Sequence, residues 1–355
     1  MSQTYDEGFH LAAGYRYVQC GDFGINSEHP PLVKMLAGLA LQMTRTPAPR
    51  AGTCGEEETT KGHGYELGVA YLYKEGLDAQ RVLFNGRTAT LGFAVVLLLT
   101  VFFYARYLFG YWAGIIALLL CASEPTLIAH ADLVTTDVAV SAGLLLAVFL
   151  LDRYLRTRTL PSLVLAGLAL GLALSAKHSG VIVIPIAIAL TVVDECMRGD
   201  KLDARRQGWT RAVGGLALIL LIGVGVLWAT YGFRYWPRPH AAPMTVSLAD
   251  FLTRVRSEGT TGIMSDYLIP FAARWHLLPL AYLYGLIDIL NVSPPGLPPW
   301  ILGRLLPHGV WYYFPVTFVI KPGKDFLIQF PCMHSATVLP LLSRSLGVPP
   351  RLSRV

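Results

Sequence analysis

Long apolar runs joined by short polar segments occupy residues 88–229, while polar and aromatic positions interleave before and after them. TATLGFAVVLLLTVFFYA (88–105) predicts the first clear span, with Arg81 and Arg87 before it and Arg106 after. GYWAGIIALLLCA (110–122) is apolar but short, and Glu124-Pro125 ends the run. It reads either as a short span or as one completed by TLIAHADLV. VAVSAGLLLAVFLL (138–151), SLVLAGLALGLALSA (162–176) and VIVIPIAIALTVV (181–193) follow, the last with Pro185 as an expected kink. AVGGLALILLIGVGVLWA (212–229) is the last well-defined span. Gly167, Ala169, Gly171, Ala173, Gly214, Gly215, Gly223 and Gly225 suit close helix contacts in lipid.

The flanks read differently. Phe9, Ala12, Ala13, Tyr15 and Tyr17 give residues 6–19 a weak amphipathic helical stripe, broken by Gly21-Asp22-Phe23. A second helix is predicted from Pro31 to Met43, with proline well placed in a first turn and a length that suits an interfacial helix better than a full span. Residues 45–64 are rich in Gly, Pro and charge and read as a surface loop, its Glu56-Glu57-Glu58 run solvated. Tyr65 to Gly76 can form another interfacial helix. The expected organisation is a first loop with interfacial helices and the chemical motif (1–87), a transmembrane bundle (88–231), a Trp- and Pro-rich loop region (232–309), a partial span (310–329) broken by Lys321-Pro322-Gly323, and an irregular basic tail (330–355) that reads as out of frame. The fold class is an all-α polytopic membrane protein.

Composition agrees: 54% of the 355 residues are hydrophobic and 15% charged, too apolar for an ordinary soluble domain. The formal charge of +6 reads as topology, not as nucleic-acid binding. Three arginines at 153–158, and Arg198, Lys201, Arg205, Arg206 and Arg211, mark cytoplasmic loops. Counting spans back from them puts residues 1–87, the Asp137 end and the Lys177 end on the opposite, extracytoplasmic face; residues 232–309 fall there too. The five cysteines show no metal-ligand spacing. Cys20 and Cys54 can meet in an extracytoplasmic loop, but free thiols or small apolar residues are the favoured reading. No cleavable signal peptide is expected, because Met1 leads directly into polar residues.

The chemistry concentrates in DEGFHLAAGYRYVQCGDFGINSEHPPLVK (6–34): adjacent carboxylates, His10, an acid–His–Pro–Pro run (Glu28 to Pro31) and Lys34. A carboxylate beside an apolar surface can serve as general base toward a hydroxyl. Lys or Arg on the same face can hold a lipid-borne phosphate. Taken singly, Asp137, Lys177 and His178 are read as helix-end charges, Asp137 favoured by the helix dipole after Thr135-Thr136. For Asp6-Glu7 with Glu28-His29-Pro30-Pro31 the functional reading is ahead.

In order, DE…H…GY…GDF…EHPPLxK, then EPTLIAHADLVTTD, then GLALGLALSAK, and late GVWYYFPV up to Lys321, resemble the GT-C polytopic glycosyltransferases. The nearest group is the protein O-mannosyltransferase and aminoarabinose-transferase-like proteins of glycosyltransferase family 39 and its bacterial relatives. The resemblance covers most of residues 5–321. It implies a GT-C-type bundle that transfers a sugar, with inversion, from a polyprenyl-phosphate donor to an acceptor hydroxyl outside the cytoplasm, in an integral protein of a bacterial inner membrane. Asp6 matches the first-loop acid that deprotonates or orients the acceptor, and Glu7 would support it. His29 with Pro30 and Pro31 matches a motif shaping that loop. Asp137 and Lys177 match polar positions that arrange the site or the lipid phosphate. His10, Glu28, Lys34 and Arg87 complete the set of substrate-binding candidates. The expected partners are the lipid-linked sugar, membrane lipid and an acceptor protein or glycolipid, with no nucleic acid. No nucleotide cofactor is expected, and a divalent metal is left open, since some GT-C enzymes use one. Family members carry a helix before the acidic pair and spans after the Lys321 region, so the reading expects a chain clipped at both ends. The alternative is a remnant or subunit that binds polyprenyl lipid without turnover. A transporter is weaker, because the ionisable positions gather at one face rather than mid-span.

Overall fold

The computed structural model describes residues 3–50, 54, 61–198, 202–257, 261–292, 299–307 and 309–320. Its described residues fall into two compact units, one from Met1–Ala122 and Leu127–Pro294, the other from Ser123–Thr126 and Pro295–Val355. The tail reading for 330–355, the 321–329 part of the partial span and the acidic trio at 56–58 lie outside the described residues.

The first unit opens with α1 (Glu7–Cys20), α2 (Leu32–Met43) and α3 (Lys61–Val69), the last running on into a π turn, Ala70–Lys74. α4 (Ala79–Phe109) is much longer than its apolar run, because the helix already starts at Asp78, whose side chain caps the Gln80 and Arg81 amides. Arg81 and Arg87 therefore lie within it. α5 (Tyr111–Ala122) stops before α6 (Pro125–His130), so TLIAHADLV does not extend it. α7 (Asp137–Thr157) and α8 (Leu160–Ala176) lead through a 3-10 turn, His178–Ile182, to α9 (Val183–Met197) and α10 (Leu202–Thr230). Pro185 sits in the first turn of α9, where its missing N–H costs no helical hydrogen bond, and not at a mid-span kink. The stretch expected as a loop after α10 holds three further helices, α11 (Leu248–Ser257), α12 (Ile269–Arg274) and α13 (Leu280–Val292). In the second unit, β1 (Trp300–Ile301) and β2 (Arg304–Leu305) form a small antiparallel hairpin, and α14 spans Tyr313–Ile320.

Among the described residues, four stretches are long and apolar enough to cross a membrane: Ala79–Phe109, Asp137–Thr157, His178–Met197 and Gln207–Thr230. Along α4, Leu91, Val95, Leu99, Phe103 and Tyr107 are all exposed, a four-residue spacing that lines one helix face with apolar side chains turned away from the protein. Inward contacts use small residues. Gly143 lets α7 approach the Ala173 backbone of α8, while Gly167 and Gly171 admit Ile222 and Val226 of α10. Gly214 and Gly225 meet nothing and carry no such contact.

α1 departs most from its sequence pattern. Instead of lying with one face open, it is enclosed, with Phe9, Leu11, Ala12, Ala13 and Tyr17 all buried. Glycines on every side make this possible. A Cβ at Gly14 would overlap the Lys34 carbonyl of α2, and one at Gly38 the Gly14 carbonyl. Gly64 of α3 meets the Phe9 ring, Gly68 meets the Gly8–Phe9 backbone, and Gly86 of α4 meets Leu11. The C-terminal end of α1 is fixed covalently: Cys20 is disulfide-bonded to Cys54, their Cα atoms 6.4 Å apart. This corrects the free-thiol reading for that pair. The loop folds back because Arg16 donates to the Pro49 carbonyl (2.6 Å) and the Tyr71 hydroxyl to that of Pro47 (3.0 Å).

Candidate functional site

The adjacent carboxylates that open α1 meet different surroundings. Successive helical positions point about 100° apart, so Glu7 turns inward while Asp6, ahead of the first turn, stays at the edge. Glu7 is completely enclosed. Its Oε1 accepts from Arg87 Nε (2.8 Å) and the Val134 amide (3.0 Å), and its Oε2 from Arg87 Nη2 (2.7 Å) and the Thr4 amide (2.8 Å). Burial opposes ionisation of this carboxyl. The Arg87 guanidinium and the two amides together outweigh it and hold the group below its ordinary value. His10, one turn further on, donates from Nδ1 to the Val134 carbonyl (2.7 Å). Burial, followed by the charge of Lys34, lowers its basicity and keeps the ring neutral. Glu7 and His10 thus bind the N–H and the C=O of Val134, locking α1 to the segment just before α7.

Asp6 is half-buried and accepts from the Tyr65 hydroxyl (3.1 Å). Burial first, and the Asp6 carboxylate with it, push the Tyr65 hydroxyl well above its ordinary value, so it remains a donor. The ring of Tyr5 lies against that of Tyr65, with centroids 4.1 Å apart. Among the described residues, the Asp6 side chain pairs with the Tyr65 hydroxyl and with no basic group, whereas the Glu7 carboxylate is saturated.

The Glu28-His29-Pro30 loop crosses beside them. His10 and His29 stand edge-on with ring centroids 6.0 Å apart. Burial, then Lys34 and His10, depress the His29 imidazole to about 2, leaving it neutral. Lys34 is fully buried, and its Nζ donates to the carbonyls of Asn26 and His29, both at 2.7 Å. It also lies 5.2 Å from the centroid of the Tyr17 ring, while the Tyr17 hydroxyl donates to the Asn26 carbonyl. Burial lowers the Lys34 ammonium from 10.5 to about 7, against the pull of Glu28. Lys34 is thereby turned to the loop backbone, not outward. Phe23 N donates to the Pro237 carbonyl (2.8 Å), Arg234 to the Gly21 carbonyl, and Asp22 pairs at 4.0 Å with Arg238.

Asp137 heads α7, and Lys177 follows the last residue of α8; the two form an ion pair at 2.7 Å with both side chains partly exposed. Lys177 and Lys34 both act electrostatically on His29, so loop, α2 and the α8 end converge on one face. Among the described residues, no group of three or more His, Cys, Asp or Glu side chains is placed to hold a metal ion. Tyr65, the Val134 peptide and His178 escaped the sequence reading. A tyrosine 59 positions from its carboxylate carries no local signal, and His178 reads as a helix-end polar residue until α13 is seen against it. An apolar cavity of about 420 Å³ lies behind the strip that pins residues 21–24, walled by Tyr235, Trp236, Pro243, Met244, Leu252 and Tyr284 among others.

Residues 80–231 match the family model described as dolichyl-phosphate-mannose-protein mannosyltransferase, which bears out the GT-C resemblance. The chain is an integral membrane protein, and its residues 80–231 are similar to that family. The matched stretch includes Arg87, Asp137 and Lys177, while Asp6 to Lys34 precede it. No curated protein matches the chain.

Proposed function

We propose that the protein transfers a sugar from a polyprenyl-phosphate to an acceptor hydroxyl on the extracytoplasmic face, with Asp6 as the base. The observation that carries this is the division between the two acids. Glu7 has all its acceptor directions filled by Arg87, Val134 and Thr4, whereas among the described residues the Asp6 carboxylate accepts from Tyr65 alone at the edge of the site. In the reaction, Asp6 takes the acceptor's hydroxyl proton as its oxygen bonds to the anomeric carbon. The bond from that carbon to the phosphate oxygen breaks, and its electron pair leaves with the lipid phosphate. Attack opposite the departing phosphate inverts the centre.

Lys177 is the cation suited to the leaving phosphate: it is partly exposed, and Asp137 orients it. Glu7, Lys34 and Arg87 act by holding α1 and the loop rather than by touching substrate. Glu28, His29 and His10 are the groups we assign to the sugar hydroxyls, the two imidazoles being neutral and edge-on to one another. The cavity behind residues 21–24 has room and apolar walls for the first isoprene units of the donor. Two observations support the extracytoplasmic placement. The Cys20–Cys54 disulfide belongs to an oxidising compartment, and Arg153, Arg156, Arg158 and Arg198 lie at the opposite ends of their helices.

The test is transfer from radiolabelled polyprenyl-phosphate mannose in membranes. Wild type should transfer label and Asp6→Asn should lose it by about 10²–10⁴-fold, with thermal stability unchanged. Equal transfer by Asp6→Asn would remove Asp6 from the mechanism, and no transfer by wild type would favour a lipid-binding role without turnover.

A further inference from the structure

A glycine in the middle of an apolar helix is destabilising relative to alanine, so Gly285, midway along α13, calls for a packing reason. A Cβ there would overlap both the Ser27 carbonyl oxygen and His178 Nε2. Three distant pieces of chain therefore meet at backbone distance: the first loop, the turn after α8, and α13. His178 is 3% exposed, and its ring lies against Tyr282 with centroids 4.5 Å apart. Among the described residues the His178 ring has the Ser27 backbone as its polar neighbour beside Gly285, at a geometry short of a well-formed hydrogen bond. A buried imidazole left in this state is costly, and its position explains it. The ring fills the gap between α13 and the residue that directly precedes Glu28 and His29. On the far side of the same loop, Lys34 Nζ holds the carbonyls of Asn26 and His29.

We infer that His178 and Gly285 are positioning residues: α13 and the His178 ring form a backstop that presses the Ser27–His29 stretch onto Lys34, setting where Glu28 and His29 stand beside Asp6. The catalytic consequence rests on the proposed transferase reaction; the mechanical one does not. Any side chain at 285 must push the loop off its seat, and removal of the His178 ring must let the loop relax toward α13. Because misplacement of about 1 Å can cost about 10²-fold in rate, the loss should fall on kcat.

The experiment compares wild type, Gly285→Ala and His178→Ala in detergent micelles, by hydrogen exchange of peptides spanning residues 22–31 and by kinetics with polyprenyl-phosphate mannose. Exchange over 22–31 should rise in both variants while peptides from 160–176 stay unchanged. The kcat should fall by about 10²-fold, with the donor KM held within about twofold. Wild-type exchange across 22–31 in a folded variant overturns the inference, as does a loss confined to KM. His178→Ala adds no volume and carries the test should Gly285→Ala fail to fold. Absence of transfer by wild type counts against the proposed reaction alone, since the exchange result still decides whether the backstop exists.

Discussion

Replacing Arg87 by methionine should destabilise the protein more than its loss of one surface-length side chain suggests, and should reverse the sign of one pH dependence. Glu7 is fully enclosed, and Arg87 supplies two of its four hydrogen bonds, at 2.8 and 2.7 Å, and, among the described residues, its countercharge in direct contact. Arg87→Met leaves a buried carboxylate with the Val134 and Thr4 amides but no cation, a state that costs about 3–5 kcal/mol. Glu7→Gln keeps the shape, but its amide must turn an N–H toward donors already in place and strands the guanidinium. The double variant Glu7→Gln/Arg87→Met removes both charges. Its destabilisation should fall short of the sum of the singles by about 2 kcal/mol. The pH response follows from the same contacts. In the wild type the Glu7 carboxyl is held below its ordinary 4.5, so its stabilisation is present above that value and is lost as pH falls through the folded value. In Arg87→Met, burial outweighs the two remaining amides and raises the carboxyl above its ordinary value, so that variant should gain stability on acidification through the range where wild type is flat. Equilibrium unfolding in mixed micelles, followed by tryptophan fluorescence between pH 4 and pH 8 (about the range in which carboxylates so shifted titrate), measures both effects. An Arg87→Met variant within about 1 kcal/mol of wild type, or strict additivity of the two singles, would refute the reasoning.

Two further outcomes follow from the same segment. Lys34 has its folded value lowered from 10.5 to about 7, so between those limits the unfolded chain binds the extra proton and wild-type stability should rise with pH, levelling below 7. Lys34→Met should abolish that slope in the same unfolding assay, and an unchanged slope would show that the ammonium is not desolvated. The Cys20–Cys54 bond closes a loop with a sequence separation of 34. Its removal as Cys20→Ser/Cys54→Ser should cost about 3–4 kcal/mol, read as a fall in unfolding temperature. Alkylation of both thiols in denatured, unreduced protein would disprove the bond.

The parts of the fold legible in the sequence are those set by local composition. Apolar runs located the spans to within a few residues at most ends, because burial in lipid is a property of each segment taken alone. Pro31 announced the start of α2, and the small residues Gly167 and Gly171 announced close helix contacts. α4 began nine residues before its expected start because Asp78, a cap, outweighs hydropathy in setting a helix end. α1 could not be read correctly: its weak stripe suggests one buried face, but glycines on three neighbouring helices bring backbone against it on every side.

The candidate chemistry divides along the same line. Which residue types are gathered in Asp6–Lys34, and that they lie near the ends of spans carrying Asp137 and Lys177, is written in the order of the chain and its charge pattern. What each of them does depends on partners far away in sequence. Glu7 and Asp6 are neighbours with the same functional group, yet contacts with Arg87 and Val134, 80 and 127 positions distant, turn one into an internal strut and leave the other facing Tyr65. Lys34 reads as a free cation until its Nζ is seen against two carbonyls, and the glycine at 285 has no meaning until Ser27 and His178 arrive beside it. Hydropathy and charge act through solvent and are felt residue by residue. Desolvation, pairing and steric exclusion exist only once the segments are packed, and they decided which of these groups is left for chemistry.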